Sequence, residues 1–430
     1  MRLSATASTS IDRPLLGDAR EYYLTGYNLK HAGIYSRSDA GFAHPPARVE
    51  PDAYRPPGVP LIFAAVMSQR SSAAEVVTRM QTLNVIFGAV TVASIFATAA
   101  AILPLSAAIA VGLLVACSPH LVSFAVYALS ETPATFLVAA LLALSAISTP
   151  SLRGLRVVFF LALGTTVGCL SLFRPAFLAF APFLALAYPE LRDKRHCLLF
   201  GCLGAALIVA PWFIRNAVNV SHTEAPSLLA ATMLEGSYPG FVYQGNKATF
   251  PYGGRSDPAF SKIEKSVPLT VNEVTRKIVA DPIAMATWYL FEKPVYLFQW
   301  DNIDGVGDIF IYTVRSTPFH DQILFQTIRS AFHYCHLPML ILALIGAVVA
   351  WIVPDSNKHP TLRMASLMLP FIYLVHIPFF VAARYAVPIY PAMYLLAVYA
   401  VVALTRRAAI LGTALIQRTD ARLLVSQELR

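Results

Sequence analysis

Charge is what this sequence has least of. Asp, Glu, Lys and Arg make up 13% of 430 residues, about half the roughly 25% of an ordinary soluble domain. That excludes a chain wetted over most of its surface. Cysteine is sparse too: the five residues are Cys117, Cys169, Cys197, Cys202 and Cys335, all in or beside apolar runs. None forms a Cys-x-x-Cys pair, so neither a disulfide framework nor a cysteine metal site is indicated. There is no Walker loop, no G-x-G-x-x-G ahead of a strand and no Ser-His-Asp arrangement, which removes the nucleotide-dependent and triad-hydrolase classes. His333 and His336 are three apart, which is weak as metal-ligand spacing. No internal repeat or low-complexity tract is visible. Met1–Ser10 reads as neither a signal peptide nor a span.

What is present is apolar. Hydrophobic residues reach 57% and mean hydropathy is +0.59, the composition of a polytopic membrane protein. A bilayer core about 30 Å thick takes about 20 apolar residues per helix. Roughly nine such runs fall near 76–100, 105–127, 132–149, 155–173, 175–189, 197–215, 332–353, 363–382 and 387–405. The two runs flanking Arg174-Pro175 are short and read as tilted or partly re-entrant.

The predicted fold is therefore all-α, with about nine transmembrane helices, juxtamembrane helices in a first outer loop, and a long outer loop. The predicted divisions are a first outer loop at 1–75, six spans in 76–215, an outer loop with interfacial helices at 216–331, three spans in 332–407, and a basic amphipathic tail at 408–430. In the long loop, Thr270–Ala280 and the aromatic-rich Pro282–Leu297 have helical spacing. Asn219-Val220-Ser221 matches a short glycosylation sequon.

The net charge of +9 is gathered in short loops. Arg153 and Arg156, Arg192–Arg195, Lys358 and Arg363, and Arg406-Arg407 all fall on one side if the runs alternate, and the positive-inside rule makes that side cytoplasmic. Nucleic acid is not an expected partner; lipid headgroups are. Residues 1–75 then lie outside with no apolar run before them, which leads to the expectation that a first span of about 20 residues is missing from this sequence.

Candidate chemistry gathers at the outer ends of the runs. Asp18, followed by Glu21-Tyr22-Tyr23, reads as a base for a substrate hydroxyl, as the N-cap of a helix beginning at Ala19, or as both, since the two roles are not exclusive. Arg55, in Arg-Pro-Pro-Gly-Val-Pro, is held by a stiff turn at the membrane mouth, where a guanidinium fork suits a phosphate; the alternative is a snorkelling arginine. Glu131 sits in Ser130-Glu131-Thr132-Pro133, either orienting an acceptor or simply occupying a first helical turn behind a Ser or Thr cap. Arg174, Arg215 and Arg384-Tyr385 are each read as ending an outward-directed helix. Each alone is explained by the helix dipole; with Arg55 they could hold an anionic headgroup. His376, in the outer half of a run, reads as hydrogen-bonded between helices.

In order, GDAREYY, YRPPGVP, Glu131, Arg-Pro, PWFIRN and RYAVPIYP resemble the motifs of the membrane-embedded GT-C glycosyltransferases, and most closely the branch with bacterial aminoarabinose transferases and protein O-mannosyltransferases. The resemblance covers nearly the whole chain. It implies transfer of a sugar from a polyprenyl-phosphate donor to an acceptor hydroxyl outside the cytoplasm, with inversion. The acceptor would be a glycan, a lipid or a protein, and the setting an inner membrane. It implies Asp18 as base, Glu131 as second acid, and Arg55, Arg384 and Tyr385 at the lipid phosphate. Glu21, Tyr22 and Arg215 complete the expected substrate-binding set. No cofactor and no metal are expected, since Tyr54 stands where aminoarabinose transferases carry an acid. A transporter or flippase of polyprenyl-linked glycans, and a non-catalytic assembly subunit, are the alternatives.

Overall fold

The computed structural model describes residues 1–39, 49–220, 227–353 and 359–408. The end of the glycosylation sequon at Ser221 and the tail from 409 to 430 lie outside these. The regular structure of the described residues is helical, apart from one pairing of two short strands and two isolated bridges. Five helices are long and apolar enough to cross a membrane: Ala73–Ile102, Arg153–Phe173, Leu191–Asn219, Ile323–Ile352 and Val387–Ala408. A sixth candidate is a pair, Leu105–Cys117 and Pro119–Val126, bent by 48°. The protein is a multi-pass membrane protein.

The other three predicted runs are present but are not full spans. Glu131–Ser145 has 15 residues and Pro360–His376 has 17. The run at 175–189 is two 3-10 stretches, Pro175–Phe180 and Pro182–Ala187, because Pro175 and Pro182 cannot donate the bonds that continue an α-helix. Two helices begin earlier than hydropathy marks. Ile323–Ile352 starts with about two and a half turns that hold Gln326 and Arg329, and Leu191–Asn219 starts with the basic stretch Arg192–Arg195.

Local chemistry accounts for the frame. Ser72 and Glu75 form a reciprocal capping box that starts Ala73–Ile102. Helices Arg153–Phe173 and Leu191–Asn219 touch through Gly164, Gly168, Gly201 and Gly204: a Cβ on Gly164 would collide with the Gly201 carbonyl, the close approach that small residues permit between membrane helices. Glu131–Ser145 runs through the middle, with Ala134, Val138, Ala139, Leu141 and Leu142 fully buried. Outer helices keep Leu207, Leu344 and Val348 exposed, as lipid-facing positions require. Arg156 and Asp193, both assigned by alternation to the basic side, meet at 3.5 Å.

Four further segments frame the site. Asp18–Ala32 is a helix whose first residue is Asp18; Gly17 before it has φ +51°, where a side chain would be strained. Gly58–Val66 packs beside it, and a Cβ on Gly26 would strike Phe63. Ser10–Ile11 pairs antiparallel with Val314–Ser316, and Asp12 salt-bridges Arg315. This pairing fastens the loop 299–317 to the start of the chain. Last, Val267–Ala280 is the amphipathic helix expected in the long loop, starting three residues earlier, at a Ser266 cap.

Candidate active site

Four carboxylates and four guanidiniums from distant parts of the sequence meet beside one cavity. Arg55 is the bridge. Its Nη2 donates to Asp18 Oδ1 at 2.7 Å and its Nε to Glu21 Oε2 at 2.5 Å. On the other oxygen of Asp18, Arg384 Nη1 donates at 2.9 Å. Arg174 Nη2 donates to Glu131 Oε1 at 2.6 Å, and Arg384 Nη1 stands 3.8 Å from the same oxygen. Arg384 Nε faces Asp304 Oδ2 at 2.5 Å. Arg37 closes the outer edge, 3.4 Å from Glu21 Oε1 and stacked 3.6 Å over the Tyr54 ring.

The electrostatics follow from burial and partners. Burial alone would raise the Asp18 carboxyl, but the charges of Arg384 and then Arg55, with their hydrogen bonds, outweigh it and hold Asp18 well below the usual carboxylate range. Asp304 goes the other way: burial pushes it up, Arg384 opposes, and neighbouring Asp18 and Glu131 add to the rise. Tyr385, next to the cluster, is pushed up to about 12 by burial.

The cavity has a volume of about 1140 Å³, above the roughly 300–1,000 Å³ of pockets for drug-sized ligands. Arg37, Arg55, Arg174 and Lys265 line its polar side. Leu172, Phe177, Trp212, Phe213 and Leu229 line its apolar side. Phe213 and Leu229 are more than half exposed, so the apolar wall continues to the outside of the helix bundle. Such a space accepts an anionic head with an apolar tail.

Asp18, Glu21, Arg55, Glu131, Arg384 and Tyr385 thus come together, and Tyr22 lies buried with the Arg55 guanidinium 5.5 Å over its ring. Arg215 does not join them. Its Nη1 donates to the Asp52 carbonyl at 2.5 Å and its Nη2 to the Tyr35 carbonyl at 2.9 Å, so it ties the first outer segment to the end of Leu191–Asn219. Three other readings are corrected. Asp18 is not an N-cap: Gly17 holds that place, no side-chain cap bond forms, and two guanidiniums occupy the carboxylate instead. Arg384 does not end a helix; it lies in a 3-10 turn leading into the final one. His376 bonds the Ile372 carbonyl within its own helix at 2.7 Å, rather than a second helix, and stacks on Tyr385.

Sequence reasoning missed Arg37, Lys265, Trp212 and Asp304. Asp304 had a partial signal, three acids in Asp301–Asp308, but nothing there marks which one turns inward. Among the described residues, no group of three or more His, Cys, Asp or Glu side chains is arranged to hold a metal ion.

No protein-family model matches the chain, and no curated protein matches it either. Solved structures do. Apo ArnT from Cupriavidus metallidurans is 14% identical at a TM-score of 0.48, over 96% of this chain and 60% of ArnT. ArnT bound to undecaprenyl phosphate is 14% identical at 0.45, over 96% and 61%. The oligosaccharyltransferase AglB from Archaeoglobus fulgidus, in complex with an inhibitory peptide and a dolichol-phosphate, is 12% identical at 0.49, over 95% and 48%. The likeness is to membrane glycosyltransferases. This chain spans about half to three-fifths of the length of the structures it matches. At TM-scores below 0.5 the likeness carries no inference about chemistry, which rests on the site itself.

Proposed function

We propose that the protein is a polyprenyl-phosphate-sugar-dependent glycosyltransferase, acting on an acceptor hydroxyl on the outer face of an inner membrane. The observation that carries this reading is Arg55, which lines the cavity and at the same time holds Asp18 and Glu21. A lipid phosphate in the cavity would sit against Arg55, Arg174, Arg37 and Lys265, with its chain along Trp212 and Phe213. What supports such a lipid is the cavity itself, basic on one wall and apolar on the other.

The acceptor oxygen attacks the anomeric carbon as the carbon–oxygen bond to phosphate breaks, and the phosphate leaves with the electron pair. Arginines are needed where that negative charge collects. The acceptor proton passes to Asp18, and one such base suffices for inversion. A carboxylate held by two guanidiniums is a weak base, which suits a late proton transfer from a hydroxyl already bonding to an oxocarbenium-like carbon. Glu131 keeps Arg174 in place; Tyr22 supports Arg55.

One observation favours the transporter reading. The helix break between Cys117 and Pro119 holds a buried charge, Arg2, as transporters use broken helices. Arg2 Nη2, however, donates to the Val115 carbonyl at 2.9 Å and Nη1 to Ala116 at 3.3 Å, so it satisfies the end of a helix. Purified protein in liposomes with a labelled polyprenyl-phosphate sugar and a mixture of acceptor glycans, lipids and peptides separates the readings. A transferase moves label covalently to an acceptor. Label that only changes leaflet, with no product, overturns the transferase reading.

A further inference from the structure

Arg384 is divided between carboxylates. Nη1 serves Asp18 at 2.9 Å, while Nε faces Asp304 at 2.5 Å. The Asp304 side chain is fully enclosed. Neither of its carboxylate oxygens has a hydrogen-bond partner among the described residues, and Arg384 Nε also lacks a directed one. The contact is therefore close in charge but poor in direction, and a buried carboxylate without hydrogen bonds is costly. The other two inner guanidiniums are engaged elsewhere, Arg55 on Asp18 and Glu21, Arg174 on Glu131. Among the described residues Asp304 has Arg384 alone, and shares it.

We propose that Asp304 is a positioning residue that acts through Arg384: it draws part of that guanidinium's charge away from Asp18 and so keeps Asp18 basic enough to accept the substrate proton. The inference rests on the transferase reading for its kinetic consequence, though not for its electrostatic one. Two carboxylates on one cation each hold it less tightly than either would alone. With Asp304 neutralised, Arg384 belongs to Asp18, and that carboxylate becomes a poorer base.

The test uses Asp304→Asn, which keeps the shape and removes the charge, with Asp304→Glu as the conservative companion. The first measurement needs no activity. Water-soluble carbodiimide labels protonated carboxyls, and Asp18 is about a quarter exposed, so labelling of the Asp18 peptide can be followed by mass spectrometry in folded protein at neutral pH, chosen because burial raises the Asp304 carboxyl and the comparison needs Asp304 ionised in wild type. It is expected to be about three- to tenfold slower in Asp304→Asn than in wild type, the effect of a shift of roughly 0.5–1 pH unit in Asp18. Equal or faster labelling overturns the inference.

The second measurement is the pH profile of transfer. In Asp304→Asn the acid limb is expected to move to lower pH by a similar amount. kcat should fall roughly three- to tenfold, the donor KM should hold within about twofold, and Asp304→Glu should recover part of the limb. A uniform loss with the limb in place means that Asp304 only supports the fold, and overturns the proposal. If wild type transfers nothing, the transferase reading fails, and the labelling result still decides whether Arg384 is shared.

Discussion

Removing Arg55 tests how tightly the site is cross-linked. The side chain is 13% exposed and makes two charge-assisted bonds, 2.7 Å to Asp18 and 2.5 Å to Glu21. Stripping one partner from a fully buried ion pair costs about 3–5 kcal/mol. Here Asp18 and Glu21 are 24% and 27% exposed, so water recovers part of that. Asp18 also keeps Arg384 at 2.9 Å, and Glu21 keeps Arg37 at 3.4 Å. Arg55→Ala should then lower the unfolding free energy in detergent by about 2–3 kcal/mol. A similar loss of transition-state stabilisation would be roughly 30- to 150-fold in kcat/KM. Arg55→Lys keeps the charge but reaches only one carboxylate, and should lose about half as much. A double-mutant cycle with Asp18→Asn isolates the pair, and a coupling of at least about 1 kcal/mol is expected. A coupling indistinguishable from zero, with Arg55→Ala as active as wild type, would refute the bridging role.

Three other perturbations follow from the geometry. Glu131→Gln leaves Arg174 without its 2.6 Å carboxylate and should cost about 1.5–3 kcal/mol in unfolding free energy, with donor KM raised as Arg174 loses its anchor. Gly17→Ala should cost about 1–3 kcal/mol, because φ +51° at the helix entry suits only glycine, and transfer should fall with it as Asp18 is displaced. Glu235, in the long outer loop, is pushed up to about 7 by burial, against the pull of a Gly254 N–H bond. A carboxyl raised in the folded state is neutral there while the unfolded chain ionises, so wild-type stability should decline as pH rises from about 4.5 to 7. Glu235→Gln should make that decline shallower, leaving the part due to the raised Asp304 carboxyl, which thermal unfolding across the pH range measures.

Much of the frame can be read in the sequence because a lipid environment enforces long apolar runs. Its breaks are harder to read. Pro175 and Pro182 turn a run of suitable composition into 3-10 pieces, and hydropathy averages cannot distinguish these from a span. The gathering of Asp18, Arg55 and Arg384 is foreshadowed by short polar motifs at the outer ends of those runs. Asp18 shows where local pattern misleads: Gly-Asp before a helix reads as a cap, yet two arginines 37 and 366 residues away take the carboxylate. Arg215 shows the reverse, an arginine in an outer motif that the chain uses to fasten its own loop. Asp304 was only partly legible: the three acids of Asp301–Asp308 mark an acidic loop, but which of them turns inward onto Arg384 depends on long-range packing that carries no local signal.

The transfer rate of the Asp18→Asn protein tests the central claim most directly. Folded variant and wild type would be compared with the same labelled polyprenyl-phosphate sugar and acceptor. Loss of the base should lower kcat by about 10²–10⁴-fold, with donor KM changed little. Transfer by the variant at the wild-type rate would contradict the account.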